Sequence, residues 1–324
     1  MIRAKKILLL AALGVFLVNC ASQINSFAQT ERFKLDGSLH KAYPLAQNGS
    51  FMLTNHNGKI EIESWDREEV DIEITERYHD DDYTIEIDID ARSDRVRVEA
   101  IHPEIRDWNF WNNRRRPVAD FMVKVPREVR VDAGSHNGSV RITGISGEVE
   151  TTAHNGDVTV RDIIGDLRVD SHNGEIMVEQ VEGDLRVTAY NGDIEFDGVN
   201  GEIETQSHNG TIRLRNVTGG GIFAESYNGR IDGDFTVAEN GDYEFETSNG
   251  TIDIRIPGDS KANVDVVARG RNFRTDFDEL ADLEREQERD RRYDRTLRIN
   301  GDINGGGARL RLRTNNGSVR LRSK

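Results

Sequence analysis

The residues best placed to do chemistry in this sequence are histidines that recur at a fixed position. Five of the eight histidines directly precede an Asn-Gly pair: His56, His136, His154, His172 and His208. If each pair closes one turn of a repeat, neighbouring imidazoles lie about 4.8 Å apart, the spacing of adjacent strands, and could share a transition metal. Tyr190 and Tyr227 hold the same position, however, and tyrosine is a poor zinc ligand. The pattern therefore favours a stacked aromatic ladder, and we predict no metal site and no cofactor.

Two columns of acidic residues recur with the same period. They consist of Asp157, Glu175 and Asp193, and of Glu148, Asp166, Asp184 and Glu202. Like charges in register repel one another, and bound calcium would relieve that repulsion. The sequence lacks the doubled glycine and the Asp spacing of calcium-binding nonapeptide repeats. We therefore predict that these carboxylates are hydrated and lie near Arg168 and Arg186.

These residues are positioned by an internal repeat of about 18 residues. Successive Asn-Gly pairs are 18, 18, 18, 18, 19 and 21 residues apart, and they begin at Asn137, Asn155, Asn173, Asn191, Asn209, Asn228 and Asn249. Apolar and polar residues alternate between the pairs, as in strands with one buried face. A second glycine divides each repeat into two strands, at Gly147, Gly165, Gly183 or Gly201. The period predicts an all-β fold, a parallel β-solenoid similar to a β-helix. A sandwich or barrel of repeated hairpins is the alternative.

We predict four regions along the chain. Residues 1–28 form an export signal, residues 29–56 a linker, residues 57–130 an N-terminal cap of strands, and residues 131–324 the solenoid repeats. The strands of the cap lie outside the 18-residue register and would cover the end of the solenoid, where backbone groups are otherwise unpaired. A charged run at about 276–294 interrupts the repeats, and we predict a helix or a loop there.

The N-terminal segment has the composition of an export signal. Three basic residues among the first six precede an apolar run from 7 to 18, which is too short to be a good membrane span. Cys20, the only cysteine, follows this run as a lipidation site requires, although Asn19 stands where a lipoprotein box has Gly, Ala or Ser. Either Cys20 carries a lipid anchor, the only membrane attachment we predict, or it is removed with the signal. In both cases the protein is exported to the periplasm, the outer membrane or the cell surface.

The balance of charge excludes one class of partner. The chain of 324 residues has 43 Lys and Arg residues against 58 Asp and Glu residues, a formal net charge of −15. A nucleic-acid-binding protein needs a basic surface that displaces counterions from phosphates. We therefore predict that the protein binds no nucleic acid.

Two places in the sequence combine residues that are typical of contact surfaces. Trp108 and Trp111 lie close to the basic run 114–116, and tryptophan with arginine is common in protein-contact hot spots. Near the C-terminus, basic residues alternate with apolar ones and predict one strongly basic face on the last strands: Arg309, Arg311, Arg320 and Arg322. Local packing of the tryptophans and simple hydration of the arginines are the alternatives.

Four segments of the chain carry a family resemblance. They are Asn57-Gly58-Lys59-Ile60-Glu61-Ile62 with Trp65-Asp66 after it, Val123-Lys124-Val125-Pro126, the Asn-Gly ladder ending in Thr247-Ser248-Asn249-Gly250 with Ile256-Pro257, and Asn315-Asn316-Gly317. These segments resemble the bacterial putative-adhesin family of extracytoplasmic β-strand repeat proteins, a domain of unknown function. The resemblance covers about residues 50–324 on the repeat criterion. It implies a solenoid that is attached to the cell envelope or faces it, and it carries no catalytic motif.

Together these patterns predict a non-enzymatic protein of the cell envelope or surface, an adhesin-like interaction scaffold. Its partner would be an envelope polymer, a lipid surface or another protein. The alternative is a carbohydrate-active β-helix enzyme, a lyase or glycosidase that acts on envelope or extracellular polysaccharide. Such an enzyme needs a pair of carboxylates at a set separation that breaks the repeat, whereas the acidic residues here are periodic.

Overall fold

The computed structural model describes residues 27–78, 84–102, 116–269, 272–283 and 296–324, whose regular secondary structure is almost entirely β-strand. Twenty-five strands occur in these ranges: β1 (Ala28–Lys34), β2 (Ser38–Pro44), β3 (Gly49–Asn57), β4 (Ile60–Trp65), β5 (Glu69–Arg77), β6 (Glu86–Arg92), β7 (Arg95–Ile101), β8 (Val118–Pro126), β9 (Val129–Asn137), β10 (Val140–Thr143), β11 (Val149–Asn155), β12 (Val158–Ile164), β13 (Leu167–Asn173), β14 (Ile176–Glu182), β15 (Leu185–Asn191), β16 (Ile194–Asn200), β17 (Ile203–Asn209), β18 (Ile212–Val217), β19 (Gly221–Asn228), β20 (Ile231–Phe235), β21 (Asp242–Ile256), β22 (Ala262–Ala268), β23 (Asn272–Thr275), β24 (Leu297–Ile303) and β25 (Ala308–Ser323). A short helix, α1, covers residues 278–283. No helix in the described part of the chain is long and apolar enough to cross a membrane.

Each 18-residue repeat supplies one strand to each of two stacked layers. In the repeats, β9, β11, β13, β15, β17 and β19 pair in parallel as the front sheet, and β10, β12, β14, β16, β18 and β20 pair in parallel as the back sheet. Partners lie one repeat apart, as Val149 beside Leu167. The long strands β21 and β25 run through both sheets. This register confirms the parallel β-solenoid.

The space between the two sheets is filled by stacked apolar side chains. In β14, Ile176 and Val178 are fully buried, while Met177 between them and Glu179 after them are only partly covered. Phe196 lies beside Val178 one coil further on, and it is also fully buried. Each inward position thus lies above its equivalent in the next coil, which is why the period-two pattern survives from coil to coil.

The N-terminal end is built from strands that are out of chain order. β3 and β4 form a complete coil beside β9 and β10, and β7 and β8 form a further coil outside them. Antiparallel strands complete the end: β6 pairs with β7 and β1 with β6 on one side, and β5 pairs with β8 and β2 with β5 on the other. Strands assigned by sequence to one cap are therefore divided between parallel coils and an antiparallel cap.

The prediction of a linker at residues 29–56 is wrong, because this segment contains β1, β2 and most of β3. Its apolar residues are in the core, where Leu35, Leu45 and Phe51 are buried. The strands find their partners far along the chain, as Phe51 beside Val131. A search for an 18-residue period cannot detect pairing at that separation.

The C-terminal end is interlocked in a similar way. β25 lies between β21 on one side and β22 and β23 on the other, and β24 pairs with β22 in antiparallel orientation. The last strand of the chain is therefore an inner strand of both sheets. Of the charged run at 276–294, residues 284–294 lie outside the described residues. The earlier part includes α1, one of the two alternatives that the sequence left open, and Phe277 and Leu280 there are buried in the core.

Candidate functional site

The side chains that precede the Asn-Gly corners stack into one column of rings on the front sheet. This column, the ring ladder, consists of His56, His136, His154, His172, Tyr190, His208 and Tyr227. Neighbouring ring centroids are 4.6–5.0 Å apart, and their planes lie within 9° of parallel. The stacked arrangement predicted from the sequence is therefore present. Because neighbouring rings cover the faces, the inner rings of the ladder present their edges to solvent.

The stacking distance bears directly on the metal alternative. A transition metal binds imidazole nitrogen at about 2.1 Å, so one ion can join two nitrogens that are at most about 4.2 Å apart. Parallel rings whose centroids are 4.6 Å apart hold equivalent nitrogens beyond that reach. Within the described ranges, no group of three or more His, Cys, Asp or Glu residues is arranged to hold a metal ion. The geometry of the ladder thus favours ring packing over metal binding.

The asparagines of the Asn-Gly pairs form a second column, which the turn pattern by itself did not reveal. After the first asparagine, each side-chain Nδ2 donates a hydrogen bond of 2.8–3.0 Å to the Oδ1 of the asparagine in the preceding coil. The column comprises Asn57, Asn137, Asn155, Asn173, Asn191, Asn209, Asn228, Asn249 and Asn316. An amide is both donor and acceptor, so identical residues in register satisfy one another. The sequence did contain a signal for this column. The first residue of every pair is Asn, although Asp would serve a simple turn equally well.

A groove follows the ring ladder along the front sheet. Its second wall is the column of residues three positions before each Asn: Thr54, Gly134, Thr152, Asp170, Thr188, Gln206 and Glu225. Two cavities, of about 940 and 530 Å³, adjoin at Ala153 and make up this ladder groove. Its walls offer ring nitrogens, hydroxyls and an amide at the regular spacing of the coils.

The N-terminal end of the ladder groove contains a histidine in an unusual environment. The ring of His102 lies 5.6 Å from that of His56. Its Nε2 lies 3.2 Å from the Oδ1 of buried Asn55, whose Nδ2 donates to the carbonyl oxygen of Ala119 at 2.8 Å. Burial, and secondarily the charge of His56, lowers the pKa of His102 to about 4. Burial also lowers the pKa of His56, so both rings are neutral at pH 7.

The strand region as a whole matches one family model, Toastrack DUF4097, over residues 33–322. The chain belongs to the Toastrack family. The family resemblance predicted from four segments of the sequence is thereby confirmed. The match also includes most of the N-terminal strands, which the 18-residue period did not reach.

Two solved structures are similar to this Toastrack chain over most of its length. A putative cell adhesion protein from Clostridium sporogenes is 11% identical, and the likeness covers 92% of this chain and 100% of that one at a TM-score of 0.22. A putative adhesin from Bacteroides fragilis is 10% identical, with 89% and 97% covered at a TM-score of 0.39. At these TM-scores neither structure bears on the function of the chain. No curated protein matches it.

The acidic columns of the Toastrack chain have a structural role. The Oδ1 of Asp157 accepts a hydrogen bond from the backbone N–H of Glu175 in the next coil, at 2.9 Å. In the second column, the Oδ1 of Asp184 accepts one from the N–H of Glu202, at 3.1 Å. A carboxylate in such a column thus serves as acceptor for the coil above it, which explains its periodicity without a bound cation.

The basic residues near the C-terminus separate onto the two sheets of the Toastrack chain, because β25 crosses from one to the other. Arg309 and Arg311 lie on the front sheet, where each reaches the carboxylate of Asp242 at 3.0–3.1 Å. Arg320 and Arg322 lie on the back sheet. The prediction of a single basic face is therefore wrong. A contact role for these arginines stays a prediction. On the front sheet, a partner would have to compete with Asp242 for Arg309 and Arg311.

Three residues singled out in the sequence lie outside the described residues: Cys20, Trp108 and Trp111. Their predicted roles, as lipidation site and as contact residues, stay predictions. His102 and Arg116 flank the segment that contains the two tryptophans, and both line the N-terminal end of the ladder groove. The chain therefore enters and leaves that segment at the groove.

Proposed function

We propose that this Toastrack protein is an exported, non-catalytic interaction scaffold of the bacterial cell envelope, with an adhesin-like role. The observation that carries the proposal is the ladder groove, a long and regularly spaced surface on a stacked β framework. The carboxylates of the acidic columns are occupied by hydrogen bonds between coils. The groove, by contrast, is open to a partner along the front sheet. Such a surface suits contact with an extended partner.

The groove fits a hydroxyl-rich polymer that lies along it. Seven rings span roughly 29 Å at the strand spacing of about 4.8 Å, enough for several sugar units in a row. Ring edges and threonine hydroxyls are hydrogen-bonding groups, which match the hydroxyls of a glycan. Asp170 and Glu225 make the wall of the groove acidic, and that charge repels a polyanion. We therefore propose a neutral glycan chain of the envelope or of a neighbouring cell as the partner.

Retention on isolated cell-wall polysaccharide tests the groove. Thr188→Arg places a long cation in the groove, and Thr159→Arg makes the same change at a partly exposed position of the back sheet. We expect Thr188→Arg to weaken binding tenfold or more and Thr159→Arg to leave it unchanged. Equal binding by both variants would contradict the groove, and no retention of the wild type would contradict the scaffold. Soluble fragments released from the polysaccharide would show an enzyme instead.

Export is part of the proposal and is supported by the apolar run at 7–18 and by Cys20. In bacteria that express the full chain, we expect the protein in the envelope fraction. We expect acylation at Cys20, which Cys20→Ser abolishes. A mature N-terminus at Gln29 without a lipid would reject the anchor but keep the export, whereas an uncleaved cytoplasmic chain would contradict both.

A further inference from the structure

The back sheet carries a second surface, of different chemistry, near the C-terminal coils. Guanidinium groups on or beside β18, β20, β21 and β25 converge there on a cavity of about 240 Å³, the arginine cup. Its cationic lining consists of Arg213, Arg215, Arg230, Arg255 and Arg322. The cup is independent of the ladder groove, which lies on the front sheet.

One buried carboxylate anchors two arginines of the cup and a third beside it. Asp253 is only 3% exposed. Its Oδ2 lies 3.0 Å from a terminal nitrogen of Arg230 and 3.6 Å from one of Arg320, and its Oδ1 accepts a hydrogen bond of 2.8 Å from the Nε of Arg322. A single carboxylate cannot neutralise three guanidinium groups, each of which has five N–H donors. Arg230 also forms an ion pair with Asp232, so two carboxylates face these three guanidinium groups. Asp253 therefore orients the arginines, and their positive charge and N–H donors remain in excess.

The cup is electropositive in a chain that is acidic overall. Its lining residues and their ion-pair partners comprise seven cations and five carboxylates, two positive charges in excess. Among the described residues, no carboxylate lies within ion-pair distance of Arg255. The whole chain carries a formal charge of −15, so this local excess is a feature of the fold and not of the composition.

We propose that the arginine cup binds a phosphate monoester or inorganic phosphate. Guanidinium forks match phosphate oxygens in geometry, and a phosphate monoester carries a charge of about −1.5 to −2 at neutral pH, which balances the excess. The cavity is smaller than the roughly 300–1,000 Å³ of sites that enclose whole small molecules. The cup therefore suits a phosphoryl group, either free or at the end of a larger molecule such as a lipid.

Equilibrium dialysis with radiolabelled orthophosphate at low ionic strength tests the cup on the purified protein. We expect saturable binding of one phosphate per chain. Arg255→Gln and Arg322→Gln should each weaken it tenfold or more. Arg141→Gln, which removes an exposed arginine from the same sheet at a distance from the cup, should leave it unchanged. Arg255→Gln is the decisive variant, because Arg255 has no ion pair to lose and its replacement should not disturb folding.

Vesicles distinguish the two sources of the phosphoryl group. Flotation with phosphatidic acid vesicles, but not with phosphatidylcholine vesicles, would assign the cup to a lipid headgroup if Arg255→Gln abolishes it. Orthophosphate binding without flotation would assign it to free phosphate. The proposal is overturned if neither probe binds, or if Arg255→Gln and Arg141→Gln bind alike. Either of those results would leave the ladder groove and its glycan untouched.

Discussion

At the scale of single residues, the glycine of each Asn-Gly pair is required by the neighbouring coil. At Gly174, where φ is 142°, an added Cβ would lie 2.2 Å from the carbonyl oxygen of Gly156 in the coil below. Backbone cannot move aside as a flexible side chain can. The close approach of stacked corners, together with the backbone conformation, thus excludes any side chain at this position.

We expect Gly174→Ala to lower the free energy of unfolding by on the order of 3 kcal/mol or more, because it forces two coils apart. Gly220→Ala is the matched control, since nothing lies within 4 Å of a Cβ there, and it should change stability by no more than about 0.5 kcal/mol. Chemical denaturation of both variants measures the difference. Similar midpoints would mean that the corners are not tightly stacked.

The environment of His102 predicts a loss of stability in acid. Its folded pKa of about 4 lies below the unfolded value of about 6.5. The contribution of His102 to the free energy of unfolding is therefore fully present above pH 6.5 and is lost as the pH falls toward 4. Allowing for its partial exposure, the loss is on the order of 1–2 kcal/mol. His56, Glu99 and Arg116 line the same cavity and contribute to the local charge.

Replacing His102 with Gln should make the free energy of unfolding less dependent on pH between 6.5 and 4. Urea titrations of the wild type and the variant across this range measure the effect as the difference between two curves. The difference removes the contribution of carboxylates that titrate in both proteins. Parallel curves would show that His102 is solvated in the folded state.

At the scale of a strand, burial and not charge pairing sets the energetic weight of a position. Val178 in β14 is fully buried, and Glu179 beside it forms an ion pair with Arg161 on the surface. Val178→Ala should cost on the order of 1–3 kcal/mol, because it leaves a cavity in the core. Glu179→Ala should cost at most about 1 kcal/mol, since exposed ion pairs contribute little. Equal shifts in a denaturant titration would contradict the inward assignment of Val178.

The columns between strands are the solenoid's second structural element. Asparagine amides bond to, and rings stack on, their equivalents one coil away. Carboxylates accept hydrogen bonds from the backbone N–H of the equivalent residue in the next coil. Every coil is therefore both supported and completed by its neighbours. This nearest-neighbour arrangement explains why the same few residue types recur, and why a coil cannot be removed without exposing unpaired groups on both sides.

At the scale of the whole molecule, the out-of-order strands lock the two ends. β25 separates β21 from β22 and β23 and pairs with all three. Both sheets therefore depend on the last strand of the chain. The C-terminal coils cannot be completed until β25 has inserted, so folding of this end requires contacts between residues far apart in sequence.

Deletion of residues 308–324 should unfold more than the deleted strand. We expect the amides of β22 and β24 to lose protection from hydrogen exchange, because β25 is the parallel partner of β22. The coils from β9 to β16 should keep their protection, since each pairs only with its neighbours. Deletion of residues 323 and 324 alone is the control and should leave both regions protected. Protected amides in β22 of the longer deletion would contradict the interlocked end.

Sequence by itself determined what repeats locally. The central coils repeat with a period of 18 to 21 residues and alternate apolar and polar residues. The parallel solenoid, the inward face and the ring ladder therefore follow from residues close together in the chain. Because equivalent residues recur once per coil, the period alone places like residues beside one another. The family resemblance extended this interpretation, and it rests partly on the same Asn-Gly corners and partly on short segments such as Val123-Lys124-Val125-Pro126.

Only the tertiary structure decided which distant segments meet. The strands of residues 29–56 pair with partners more than one 18-residue repeat away, from Pro44 beside Glu69 to Phe51 beside Val131, and no local pattern encodes that choice. The arginines of β25 are divided between two sheets because the strand crosses both, and Asp253 is buried because β25 inserts beside β21. The arginine cup and the ends of the solenoid thus depend on long-range pairing, whose specificity comes from the packing of the complete sheets.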